Sequence, residues 1–371
     1  AARHAEERIE KQDRIEQYRQ ALNQKSPGEI NIQGLYYLAL AHAGLRYEAR
    51  GDTPVERLRD FLGGDETLVS QALAALSATP TRRDLPAADQ ILESYLNDKE
   101  WLLARALIVG FDASLSSKTL EATELPESTL RAALMASYAT PVDREAAFRV
   151  QLALARPQLV ADAFVQYSLA ALKAGKSTLT GAHELTEDTR FAVVARLALP
   201  HVLRGFPRRA TLHQLYDLAR FIKGFAFSFS ASEALDLVTS KLALKTLDVG
   251  QRTYWLAVGL RLAPKKYEKR TREWVTGNEI RIGHLGAFLE RRDDVMQRTA
   301  VTPMPASAIG MLVEAFAPYA RPDRPDGVHS VSADMQRGDQ ITSWIHDLAA
   351  RPSEEAEAEL TRLQTVASLV P

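Results

Sequence analysis

The chain has 371 residues, 46% of them hydrophobic and 25% charged, with a formal net charge of −1. That balance supports a folded chain with a large core; it excludes wholesale disorder and any global attraction to nucleic acid or anionic membrane. Cysteine is absent, which excludes disulfides, thiolate metal sites and a cysteine nucleophile, and fits a reducing, cytoplasmic setting.

The N-terminal run "AARHAEERIEKQDRIEQYRQ" is charged throughout and does not read as a signal peptide. No apolar run nears the roughly 20 residues of a membrane span, so no membrane partner is expected. Further along, apolar spacing is helical almost everywhere. Leu68, Ala72, Leu73 and Leu76 form one stripe; Phe191, Val194, Ala195 and Ala198 form another. "GEINIQGLYYLALAHAGLR" has the long apolar face of a central helix. "FAFSFS" at 225–230 alternates as a strand would, but it is short and flanked by helical patterns.

Helix starts are marked repeatedly. "TPVE" puts Thr53 at a cap, Pro54 in the first turn and Glu56 at the capping-box position; Ser230 and Glu233 offer the same pair, and Asp248 can cap the next run. Pro126, Pro141, Pro157, Pro207 and Pro264 each precede a fresh helical stretch. From residue 126 such starts recur about every 20 residues, so a helix pair takes about 40. The expected class is therefore all-α, an irregular α-solenoid of stacked antiparallel helix pairs, HEAT-like or armadillo-like. Three sections are expected: an N-terminal helical section at 1–115, a helical-repeat region at 116–300, and C-terminal helices at 301–371. The turn-rich stretch 112–128 is the expected first seam and "RTAVTPMP" marks a second break. A Pro-rich exposed loop is expected at 318–334.

One stretch imitates a phosphate-binding loop: Ala170, four residues, then Gly175-Lys176-Ser177. Such a loop needs a strand feeding a glycine-rich turn. Here a long helical stripe precedes it and no glycine comes before Gly175, so the expectation is a helix ending at Gly175 with Lys173 and Lys176 at its negative end. No cofactor is expected.

The eight histidines form no H-x-x-x-H or HExxH pair, so acid–base or metal chemistry would need tertiary proximity. "PKKYEKRTREW" at 264–274 is the densest basic stretch. Lys266 and Arg270 share a helix face, and Tyr267 and Trp274 either stack on a ligand or point inward from a solvated helix; the inward placement is the favoured one. Arg208 and Arg209 follow Pro207, and Arg281, His284, Arg291 and Arg292 lie further on. The candidate partner-binding residues are Arg208, Arg209, Lys266, Tyr267, Arg270 and Arg281.

Residues from about 184 to 290 include "LALPHVLRGFPRRATLHQLYDLARFIKGF", "LDVGQRTYWLAVGLRLAPKKYEKRTREWV" and "IGHLGAFL". Phe206-Pro207 with Arg209, and Gln251-Arg252 leading to Trp255-Leu256-Ala257 and Gly259-Leu260, carry the pattern, with "WIHDLAARPSEEAEAELTRL" at 344–363 adding to it. This resembles the C-terminal helical-repeat region of large bacterial NACHT/STAND-type NTPases. The resemblance implies a modular signalling or antiviral-defence protein whose helical part senses a trigger, with an ATPase module elsewhere in a longer chain. The missing initiator Met fits a piece of such a chain. No NTPase module is legible here, so neither ATPase activity nor any catalytic residue carries over. The expectation is a non-enzymatic sensor or scaffold binding a protein trigger or partner; the alternatives are a nucleic-acid-binding solenoid with a basic edge, and an enzyme whose site assembles from distant histidines and carboxylates. Read as packing, Pro207 should start a helix with Phe206 stapled to it, Trp255 should be buried, and Gly259 should permit a close helix crossing.

Overall fold

The computed structural model describes residues 2–24, 26–46, 49–99, 101–116, 125–140, 146–177, 179–225, 230–289, 304–320 and 332–365. Among these the secondary structure is helical, with no strand, as the apolar spacing requires. The strand-like run at 225–230, the break at "RTAVTPMP", the Pro-rich stretch at 318–334 and Arg291–Arg292 lie largely or wholly outside the described residues, as do residues 117–124 of the seam at 112–128.

The chain divides into two compact units, Ala1–Val202 and Leu203–Pro371. The first holds α1 (Ala2–Gln24), α2 (Ile32–Ala43), α3 (Pro54–Phe61), α4 (Glu66–Ser77), α5 (Ala88–Leu96), α6 (Leu102–Ser116), α7 (Glu127–Ala139), α8 (Ala147–Ala155), α9 (Pro157–Lys173) and α10 (Ala182–Glu187). α11 (Ala192–Gly205) ends just past the boundary. In the second unit follow α12 (Leu212–Phe225), α13 (Ala231–Leu242), α14 (Val249–Leu262), α15 (Pro264–Val275), α16 (Glu279–Leu289), α17 (Ala306–Phe316), α18 (Ala333–Ala349) and α19 (Glu354–Thr365).

Local chemistry sets the ends of these helices. Thr53 Oγ1 accepts from the Glu56 N–H while the Glu56 carboxylate accepts from the Thr53 N–H, closing the expected capping box on α3. Ser230 and Glu233 do the same on α13, and Asp248 accepts from the Gln251 N–H at the start of α14. Pro157 and Pro264 stand in the first turns of α9 and α15, where the missing N–H costs nothing.

Pro207 behaves otherwise. It does not begin a helix; α12 begins at Leu212, with the Thr211 hydroxyl and the Gln214 side chain reciprocally capping it. The segment between is fastened from α14 instead: Gln251 Nε2 donates to the Pro207 carbonyl at 2.8 Å, and Asp248 Oδ2 accepts from the Ala210 N–H at 3.0 Å. Phe206 is buried, and its carbonyl accepts from Lys241 Nζ.

The phosphate-loop imitation is a helix end. α9 runs to Lys173, Gly175 takes φ 76°, and the Gly175 and Lys176 N–H groups return to Leu172 O and Ala171 O. Lys176 then pairs with Asp98 at 2.5 Å and lies over the Tyr95 ring.

Packing differs between the units. In the first, α2 lies against α3, α4 and also α6, four helices further on. Leu68, Ala72 and Leu76 enter the resulting core with Leu35, Leu38 and Phe61, while Leu73 is half-buried against it. Tyr138, Phe164 and Tyr167 pack as an aromatic group between α7 and α9. In the second unit the principal contacts among the described residues join helices one or two apart in the order given above: α14 meets α12, α13, α15 and α16; α15 meets α16 and α17; α17 meets α18 and α19; α18 meets α16 and α19. Trp255 is fully buried there, as expected, and Gly259 does sit at a close crossing, with the Tyr267 ring laid against it.

Candidate partner-binding face

The short connection from α13 to α14 is ringed by arginines. A helix C-terminus presents carbonyls without intrahelical partners and a partial negative charge, so cations collect there. Arg252, on α14, donates to Leu244 O at 2.7 Å and to Leu242 O at 3.4 Å. Arg270, on α15, donates to Leu242 O at 3.3 Å, and Arg208 reaches Thr246 Oγ1 at 3.4 Å. Three guanidiniums from separate stretches of sequence therefore meet on residues 242–246.

The cluster continues through Trp274. Arg281, on α16, lies 3.7 Å from the ring centroid and donates to the Trp274 carbonyl; Arg252 lies 5.5 Å from the same ring. The indole N–H donates to Thr253 Oγ1 at 2.9 Å, which fixes the ring on α14. Burial, and then the neighbouring Arg270 charge, hold Arg252 below the usual guanidinium range. Beside them Lys241 is buried and its ammonium donates to Arg204 O and Phe206 O; burial, with Arg208 nearby, lowers its pKa to about 8.

Of the six sequence candidates, Arg208, Arg270 and Arg281 join this cluster. Arg209 is exposed on the same connection as Arg208, and Lys266 is exposed on α15 with its ammonium over the Tyr267 ring. Tyr267 itself is 2% exposed, held by Gly259 and a hydrogen bond to Thr239, so its side chain is a packing element and offers nothing to a partner in this conformation. Trp274 is half-buried, its indole turned towards α14 through the bond to Thr253. Arg252 was not singled out for the face. Its signal was local: an arginine three residues into a helix that follows a short turn can reach back to the preceding helix end.

Chemically, this face can receive carboxylates or phosphates. Its arginines are partly spent on backbone carbonyls, which pre-sets their planes. Of the scattered histidines, His183 pairs with Glu187 at 3.0 Å, and burial lowers the pKa of His284 against the pull of Asp248. Among the described residues no three His, Asp or Glu are grouped to hold a metal ion, and no helix is long and apolar enough to cross a membrane.

The residues that carried the family resemblance are physically linked: Gln251 bonds Pro207, while Trp255, Leu256 and Leu260 are buried on the same helix. No protein-family model matches the chain, and no curated protein or solved structure matches it significantly.

Proposed function

We propose that the chain is a non-enzymatic helical-repeat segment, an irregular α-solenoid of the HEAT or armadillo kind. It captures an acidic stretch of a protein partner on the arginine-ringed face of α13–α16. The single observation that carries this is the meeting of Arg208, Arg252, Arg270 and Arg281 around one turn and one half-buried tryptophan. The chain-order packing of α12–α19 supports the solenoid reading, because stacked repeats touch only their neighbours and present broad surfaces. Partner energy then comes from a few arginine and tryptophan anchors.

Nucleic acid is the less favoured occupant. Arg281 already lies over the Trp274 ring, on a surface that a stacking base would need. Fluorescence anisotropy with a labelled oligoglutamate peptide and a labelled single-stranded DNA separates the two. The peptide is expected to bind at low salt more tightly than the DNA. Tighter DNA binding with a steep salt slope would replace the protein partner by nucleic acid.

The wider setting we propose, again on the resemblance, is a bacterial signalling or antiviral-defence NTPase whose ATPase module lies elsewhere in the same polypeptide. Sequencing the reading frame around this segment tests that: an adjoining nucleotide-binding module is expected, and a frame without one contradicts it.

A further inference from the structure

A cavity of about 220 Å³ opens in the N-terminal unit where α5, α6 and the end of α7 meet. A cavity of roughly 150 Å³ already admits benzene, so this one has room for a ring-sized ligand. Ile91 and Tyr95 reach it from α5, Arg105 from α6 and Ala139 from α7, while Asp98, Lys99 and Trp101 belong to the connection from α5 to α6. Both aromatic side chains are braced. The Tyr95 hydroxyl meets the Tyr167 hydroxyl at 3.4 Å, and half-buried Trp101 packs on the N-terminal core.

Arg105 gives the cavity its chemistry. Its Nε and Nη1 are covered from solvent, yet neither has a hydrogen-bond partner among the described residues, and no described acidic residue pairs with the guanidinium. Shielding a cation without answering its charge is unfavourable. Of its guanidinium nitrogens Nη2 alone escapes that cover, so an outside counter-charge has one place to approach. Lys99 is exposed on the lining and adds positive charge. Asp98, the acid among the described lining residues, is already answered: Lys176 donates to its carboxylate at 2.5 Å. The described lining therefore carries a surplus of positive charge beside Tyr95 and Trp101.

We propose that this cavity binds a small organic anion, a carboxylate or phosphate carried on a single ring, with the anionic group on Arg105 Nη2 and the ring against Ile91, Tyr95 and Trp101. An anion there answers a charge that the fold leaves unanswered, through a charge-assisted hydrogen bond of the strong kind. The fold has already stripped part of the guanidinium's hydration, so less desolvation remains to be met at binding. The site is built within residues 91–140 and does not depend on the α13–α16 face having a partner.

Isothermal titration calorimetry of the full 371-residue chain tests it, with benzoate, phenyl phosphate and the neutral benzyl alcohol as probes. Saturable binding of at least one anion is expected, with none of the alcohol; the tighter anion identifies the headgroup. Arg105→Met keeps an apolar stem and removes the charge. It should weaken the binding about tenfold or more. Its melting temperature should stay level or rise, because the variant loses an unanswered charge and no bond. Lys99→Glu, at an exposed position, reverses charge on the lining independently; it should also weaken anion binding and leave the melting temperature unchanged. No saturable heat with either anion, equal binding of benzyl alcohol, unchanged affinity in either folded variant, or a clearly lower melting temperature for Arg105→Met would overturn the assignment.

Discussion

At Gly259 a Cβ would sit 2.8 Å from the Tyr267 ring, closer than packed side chains tolerate. The ring cannot retreat freely, because its hydroxyl bonds Thr239 Oγ1 at 3.1 Å. Gly259→Ala is therefore expected to destabilise the chain by about 1–3 kcal/mol, read as a lower midpoint in urea unfolding. An unchanged midpoint would contradict the close crossing. Asp112 makes a second residue-scale test. Burial pushes its carboxyl up to about 6 from an ordinary 3.8, against the opposing pull of the Phe148 N–H and Arg149. Between those values the native chain keeps a proton that the unfolded chain has released. This group's stabilising contribution is thus full below the lower value and is lost as pH rises through the upper one. Asp112→Asn keeps an acceptor for the Phe148 N–H, bonded at 3.1 Å in the native chain. It should remove a pH-dependent loss on the order of 2 kcal/mol between about pH 4 and pH 7. Equal pH slopes for variant and parent would rule that out.

Helix ends show what was legible and what was not. The capping boxes at Thr53 and Ser230 could be read because every atom involved lies within three residues. The start of α12 was misplaced at Pro207 because the determinants are distant: Ala210 is held by Asp248, 38 residues on, and Pro207 by Gln251, 44 residues on. Local pattern carries no trace of such bonds. The same holds for the site. Lys266, Arg270 and Arg281 stand out as charge in a sequence, whereas the convergence of Arg252 and Arg208 on the end of α13 is a tertiary fact. Tyr267 drew notice as an aromatic among lysines and was named as a partner-binding candidate, yet the inward placement favoured from its spacing is the one it takes. An element-scale expectation follows. Arg252→Ala removes two bonds to the carbonyls closing α13, and should cost about 1–3 kcal/mol and speed amide exchange in the last turn of that helix. Unaltered exchange there would show that those bonds do not secure the helix end.

Across the molecule the all-helical class was fully legible, because a 3.6-residue apolar period persists through nearly the whole chain. The packing order was not, since nothing in a sequence says that α2 meets α6 while the principal contacts of α14 among the described residues are with its near neighbours. The neighbour-to-neighbour helix packing described for residues 203–371 and the arginine cluster together motivate the capture function proposed above. The most direct measurement reverses charge on that surface without disturbing its packing. Lys266 and Lys269 are exposed on α15, beside Arg270. In the double variant Lys266→Glu, Lys269→Glu, with unchanged circular dichroism and melting temperature, binding of the labelled oligoglutamate peptide should weaken about tenfold or more. Undiminished binding by the folded double variant would contradict the assignment of this face to partner capture.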